Sequence, residues 1–466
     1  MRTKLFAVLI VLAGLAMLGT GCSSTPSESG DGAAADREYI DDDTLEAFDR
    51  DFRSLSMAIA RVNEDEERSM RTKISESARL YQKALISALY DDSSQARRTL
   101  AAVMLGFTGD ASVVSLLVDK VQDEDEPESV RLNAILGLAT LGDKLRDYEK
   151  HGELMKTFSA QMRSKEASFS MRRAAIMAYA VAFDGAQSDS ILPLRDSFLS
   201  DGDVRVQIAA INAMGDIGDT NAVPDLAVVG LDHPDSDIRA ASAVALGKIA
   251  DPTRVLPALE NACMDENALV RRQSIDAISK QYGSDPERVF AVIVTGLSDF
   301  DARVREAAAL ALARIDDARA IDSLLQATGD RTAMVRQAAA ESLGKLITAD
   351  REKEAFPLVD MLGDQNPGVK GAALASLTGI TKKDFGSEQP RWEKYFYEKY
   401  PDLDPANMYA GGPKPRVSSG ISNSGSRRTT SSSSSRTQPR NTSSRTNSSR
   451  NNGRNNTRTN NTGRTR

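Results

Sequence analysis

Asp237-Ile238-Arg239-Ala240-Ala241-Ser242-Ala243-Val244-Ala245-Leu246-Gly247-Lys248-Ile249 is the stretch on which the fold turns. Ile238, Ala241, Ala245 and Ile249 recur at three- and four-residue steps, which is the stripe of a helix buried on one side. The alanines allow neighbouring helices to come close. Gly247 marks the approach to the helix end, and Ala250-Asp251-Pro252 breaks it. A more aliphatic helix is expected next, at Val255-Leu256-Pro257-Ala258-Leu259.

The same grammar recurs along the chain. A hydrophobic residue followed by a basic one appears at Val130-Arg131, Met171-Arg172, Val204-Arg205, Ile238-Arg239, Val270-Arg271, Val304-Arg305, Val335-Arg336 and Val369-Lys370, with a weaker copy at Ala96-Arg97. One step between basic residues is 41 and the others run from 31 to 34. A fixed period of this size signals a repeat array and overrides a guess of several globular domains from length alone. Aliphatic partners of the second helix stand at Ile191-Leu192-Pro193-Leu194, Val223-Pro224-Asp225-Leu226 and Phe356-Pro357-Leu358-Val359. Capping turns precede the small-residue helices, as in Asp201-Gly202-Asp203, His233-Pro234-Asp235 and Asp364-Gln365-Asn366-Pro367.

These units resemble HEAT repeats of the short bacterial kind that phycobilisome lyases also carry, with the pattern D-x-x-V-R-x-A-A-x-x-A-L-G. The resemblance covers about 93–381 and is strongest at Asp237–Gly247 and Val335–Gly344. It implies an all-α fold, an α-solenoid superhelix of HEAT-like helix pairs that offers a long surface to other macromolecules. It also implies that Arg131, Arg172, Arg205, Arg239, Arg271, Arg305 and Arg336 are structural, each pairing with acidic turns such as Asp203, Asp237, Asp299, Asp301 or Asp330. A solenoid held by nearest-neighbour interfaces needs such a repeated contact.

The flanks divide further. Arg2 and Lys4, the apolar run Leu5–Leu18 and Gly19-Thr20-Gly21-Cys22 resemble a bacterial lipoprotein signal, which implies acylation at Cys22 after removal of 1–21. Residues 22–43 then form an acylated polar tether, and export to the envelope follows, with the outer membrane favoured by Ser23. Residues 44–92 are expected to cap the array: Leu45, Phe48, Phe52, Leu55, Ile59 and Val62 make one apolar seam, and Met70 to Ala88 continue it on a second helix. A coiled-coil dimer element is the sharper alternative there. Residues 382–410, with Phe385, Trp392, Tyr395 and Phe396, are expected to close the far end as an aromatic cap over the final helix.

From 411 to 466 the chain becomes a Ser/Asn/Thr/Arg tail. Residues 413–466 hold twelve Lys and Arg and no acid, so the rest of a chain of net charge −7 carries −19. Such a tail attracts anionic envelope polymers or lipids, or serves as a passive solubiliser. No aromatic residue follows Tyr409, so nucleic acid is disfavoured as a partner for want of a stacking platform.

The chemistry-bearing residues are few. HEAT-like iron hydroxylases hold metal through repeated His-Glu pairs, but Gly152 follows His151 and Pro234 follows His233. Asp123-Glu124-Asp125-Glu126 is expected to be a solvated turn, and Cys263 a small apolar filler. No catalytic residue, metal or cofactor is assigned. The reading is a non-enzymatic, lipid-anchored scaffold whose repeat surface binds a protein partner. The alternatives are a phycobilisome-lyase-like protein that attaches a chromophore or cofactor, and a purely structural envelope protein.

Overall fold

The structure is a computed structural model, and it describes residues 40–185 and 190–405. Every regular element among the described residues is helical. Three helices open the chain: α1 (Asp42–Ala60), α2 (Glu64–Leu80) and α3 (Gln82–Leu89). Phe48, Phe52, Leu55 and Ile59 are buried as the seam requires, but α1 stops at Ala60. Val62 lies beyond it, exposed and with φ of 56°, so the seam is one position shorter than expected. The second stretch is also two helices, not one, broken at Tyr81. Phe48 meets Tyr81 edge-on at 5.7 Å and Phe52 meets Phe107 at 5.3 Å, so this unit lies against the first repeat.

The array that follows has two layers. One is a stack of small-residue helices: α4 (Gln95–Phe107), α6 (Glu128–Leu141), α8 (Phe169–Ala182), α10 (Val204–Ile217), α11 (Ser236–Leu246), α13 (Ala268–Ser279), α15 (Ala302–Ile315), α17 (Ala333–Leu346) and α19 (Pro367–Thr381). The flanking layer supplies α5 (Val114–Gln122), α7 (His151–Arg163), α9 (Leu192–Ser200), a π-helical turn at Asp225–Gly230, α12 (Pro252–Ala262), α14 (Pro286–Gly296), α16 (Ala320–Ala327) and α18 (Pro357–Asp360). One main apolar core runs through the pairs from Ile40 to Phe396, with a small second cluster at Ala240, Ala262 and Val270. No helix among the described residues is long and apolar enough to cross a membrane.

Close approach explains the small residues. A Cβ on Gly106 would stand 2.2 Å from the Gly137 carbonyl oxygen, and one on Gly247 would stand 2.6 Å from the Ala277 Cβ. Gly247 has φ of −63°, so its role is contact with the next helix and not a left-handed helix end. Hydroxyls add bonds across the stack: Ser342 donates to the Ala309 carbonyl and Ser376 to that of Ala340, each at 2.9 Å.

At the far end α20 (Gln389–Lys399) buries Trp392 and Phe396. Phe396 meets Phe356 at 5.6 Å, and the Tyr395 hydroxyl and Lys399 both donate to buried Glu352 at 2.8 Å. The aromatic group therefore rests on the last flanking helix and the turn before it. On the last stacked helix, Gly371, Ala375 and Gly379 stay exposed. The expected signal, Cys22, most of the tether and the 411–466 tail lie outside the described residues.

Candidate functional site: the arginine ladder and the turn edge

Each stacked helix begins at a capped turn, and the cap fixes which side chain faces the next repeat. Asp235, Asn267, Asp301 and Asn366 accept backbone N–H groups of their own first turns. Four residues after the cap, one turn into the helix, come Arg239, Arg271, Arg305 and, after Thr332, Arg336. Two residues before each of these caps except Asp235 stands an aspartate.

These groups interlock. Arg239 reaches both carboxylate oxygens of Asp265 at 2.8 and 2.9 Å, and Arg271 reaches those of Asp299 at 2.7 and 2.8 Å. Arg305 holds Asp330, and Arg336 holds Asp364, each at 2.7 and 2.9 Å. The third nitrogen of each arginine turns back: Arg271 donates to the Asp265 carbonyl, Arg305 to that of Asp299 and Arg336 to that of Asp330, each at 2.8 Å. The same carboxylates accept the N–H of Asn267, Asp301, Thr332 and Asn366. Every aspartate thus binds one arginine by its side chain and, as far as Asp330, the next by its backbone.

Burial pushes the carboxyls of Asp265, Asp299 and Asp330 up, but the arginine hydrogen bonds, the backbone N–H bonds and the arginine charges together outweigh it, holding all three below the usual 3.8. For Asp364 the bonds from Arg336 dominate, with the same net direction. Fork-to-fork pairs of this kind are strong and geometrically exacting.

Earlier rungs vary. Arg172 holds Asp201 at 2.7 and 3.2 Å. Arg131 reaches the Gln161 side chain at 3.2 Å and the Val121 carbonyl at 3.3 Å. In the first repeat the rung is Arg98, not Arg97. Arg98 bonds Glu126 at 3.0 Å, and Lys120 binds the same carboxylate. Glu126 is accordingly buried, while Asp123 to Asp125 are solvated as expected of that turn. Arg205 is also off the ladder. It is exposed, binds its own cap Asp203 at 3.0 and 2.6 Å, and lies 3.5 Å from the Phe169 ring centroid. The slot four residues after that cap is Gln207. Of the acids named beforehand, Asp299 and Asp330 are rungs; Asp203 and Asp301 are caps, and Asp237 lies in a first turn.

The ladder runs beside the turns that join flanking to stacked helices, and apolar side chains project from this edge. Phe300 is 94% exposed and Met264 75%. Met264 precedes Asp265 and Phe300 follows Asp299, so the two flank the consecutive turns that Arg271 ties together.

Other candidates have local roles. His151 Nδ1 lies 3.0 Å from the Leu145 carbonyl, and His233 Nδ1 accepts the Asp235 N–H at 3.0 Å. Cys263 is half-buried, and burial, then the charge of Glu260, push its thiol up to about 12. Among the described residues no group of His, Cys, Asp or Glu gathers as a metal would need.

Stacked helix pairs bound by a repeated inter-unit ion pair define an α-solenoid repeat protein. The chain is a HEAT-like repeat protein: residues 227–293 and 290–378 match the family described as HEAT repeats, and 206–228 match the PBS lyase HEAT-like repeat. Among curated proteins none matches the sequence. Among solved structures, yeast importin-β (Kap95p) is 14% identical with a TM-score of 0.48, covering 84% of this chain and 53% of that one. Kap95p in a study of its binding to RanGDP is also 14% identical, with a TM-score of 0.49 and coverage of 84% and 54%. The chain spans about half the length of these proteins. The CpcE–CpcF complex of phycocyanin lyase from a Nostoc species is 19% identical with a TM-score of 0.31, covering 53% of this chain and 94% of that one.

Proposed function

We propose that the protein is a non-catalytic scaffold that binds a protein partner along the turn edge of its repeats while acyl chains on Cys22 hold it to the cell envelope. One observation carries the binding half. The ladder arginines from Arg239 to Arg336 are spent on neighbouring repeats, whereas Met264 and Phe300 project beside them without apolar cover. Large exposed apolar side chains on adjacent rigid turns are what a partner's apolar side chains would cover. The test is capture of crosslinked partners by the intact protein and by Met264→Ser/Phe300→Ser. Loss of a reproducible partner at unchanged melting temperature supports the reading, and equal recovery by both proteins overturns it.

The anchoring half rests on the signal-like sequence before Cys22. An alkyne fatty acid should label the wild type and not Cys22→Ser. The basic 413–466 tail would add attraction to anionic envelope polymers or lipids, measured as low-salt binding to anionic vesicles that falls when the tail is removed. The match of 206–228 to a lyase-type repeat favours chromophore attachment as the second reading, and a visible absorption band on the purified protein would support it.

A further inference from the structure

At the joint between α10 and α11 both halves of the rung are replaced; the α6–α8 joint also lacks the ion pair, but there Arg131 still bonds the Gln161 side chain of the flanking helix at 3.2 Å. Gln207 stands where the arginine belongs, and its side chain makes no hydrogen bond among the described residues. His233 stands where the aspartate belongs. It keeps the two other tasks of that position: Nδ1 accepts the Asp235 N–H at 3.0 Å, and its carbonyl accepts Arg239 at 3.0 Å. The backbone geometry of a rung is therefore intact, and only the forward ion pair is absent. Arg205 does not substitute, because it is held back on Asp203 and Phe169.

What does cross this joint lies elsewhere. At the far ends of the two helices a Cβ on Gly215 would stand 2.7 Å from the Ala245 Cα, and Lys248 binds Asp216 at 2.7 Å. In the flanking layer Arg195 binds Asp225 at 2.7 Å, at the start of the π-helical turn. A joint pinned at one end of its helices and released at the other has a defined rotation axis.

We infer that the α10–α11 joint is a hinge of the array, pivoting near Gly215 and Ala245 and opening at the His233 turn. The repeats before it and the ladder-bound repeats from α11 to α19 then move as two segments, so the turn edge changes its curvature at one place. This goes beyond the scaffold reading, and its failure would leave that reading standing.

Hydrogen–deuterium exchange on the full chain tests it. Amides of 231–238 should exchange at least about tenfold faster than those of the ladder-bound turns 263–270 and 297–304, because local opening sets the rate. Gln207→Arg combined with His233→Asp should slow 231–238 to the level of those turns. Asp265→Ala, which removes an existing rung, should speed 263–270 to the wild-type rate of 231–238. Equal exchange at the three wild-type turns would overturn the hinge, as would an unchanged 231–238 in the folded double variant. If that variant does not fold, the wild-type comparison and Asp265→Ala decide.

Discussion

Arg305 grips the Asp330 carboxylate through two nitrogens, and the main-chain carbonyl of that same aspartate receives Arg336. One residue thereby joins two consecutive repeats through both its side chain and its backbone, so both share any loss. Arg305 is buried, and its removal leaves the Asp330 carboxylate without its counter-charge. Arg305→Ala should lower stability by roughly 2 to 3 kcal/mol in urea unfolding. Arg205→Ala, at an exposed position off the ladder, should leave the curve in place. Equal effects of the two would contradict the ladder's structural role.

Acid should weaken the array in a particular window. Asp265, Asp299, Asp330 and Asp364 all titrate below the ordinary 3.8 in the folded chain. A depressed carboxyl contributes stability above its unfolded value and loses that contribution as pH falls through its folded one. Melting temperature should therefore hold between pH 7 and 5 and decline steeply below about 4. Asp265→Asn, measured alongside, should show a shallower decline.

Two glycines give opposite expectations for one added methyl. Gly247→Ala drives a Cβ into Ala277 and should cost about 1 to 3 kcal/mol. Gly371→Ala places its methyl in open space on a helix and should gain about 0.5 to 1 kcal/mol. Calorimetry on the pair checks both signs.

The Cys263 thiol, raised to about 12, stays protonated at neutral pH. Iodoacetamide at pH 8 should label it much more slowly than a free thiol, and urea should remove the difference. Rapid labelling of the native chain would show that the site is open to reagent.

The repeat array was legible in the sequence because its period survives local variation, and the helix layers follow it. The register was not always legible. In the first repeat Arg98, not Arg97, takes the rung. The pair Val204-Arg205 satisfies the hydrophobic–arginine pattern, yet Asp203 caps the helix and puts Val206 in the buried slot, with Gln207 behind it. A pattern of two residues cannot tell which side chain a cap will turn inward. Spacing from the cap could have found both Arg98 and Gln207. Glu126 was hidden differently, in a run of four acids whose last member alone is drawn inward, by Arg98 and Lys120 from other elements. The aromatic closing segment was legible as a cap, but which helix it covers depends on tertiary packing around Phe356.

The ladder also rules where the chain tolerates insertions. From each aspartate to the arginine that its carbonyl receives is always six residues, whereas from arginine to the next aspartate the count varies between 25 and 29. One residue added between Asp299 and Arg305 would rotate the guanidinium by about 100° and aim it away from its acceptor. The same addition in a flanking segment is absorbed by the turn. Added length is thus tolerated on the flanking side, where new loops can be gained without unzipping the stack.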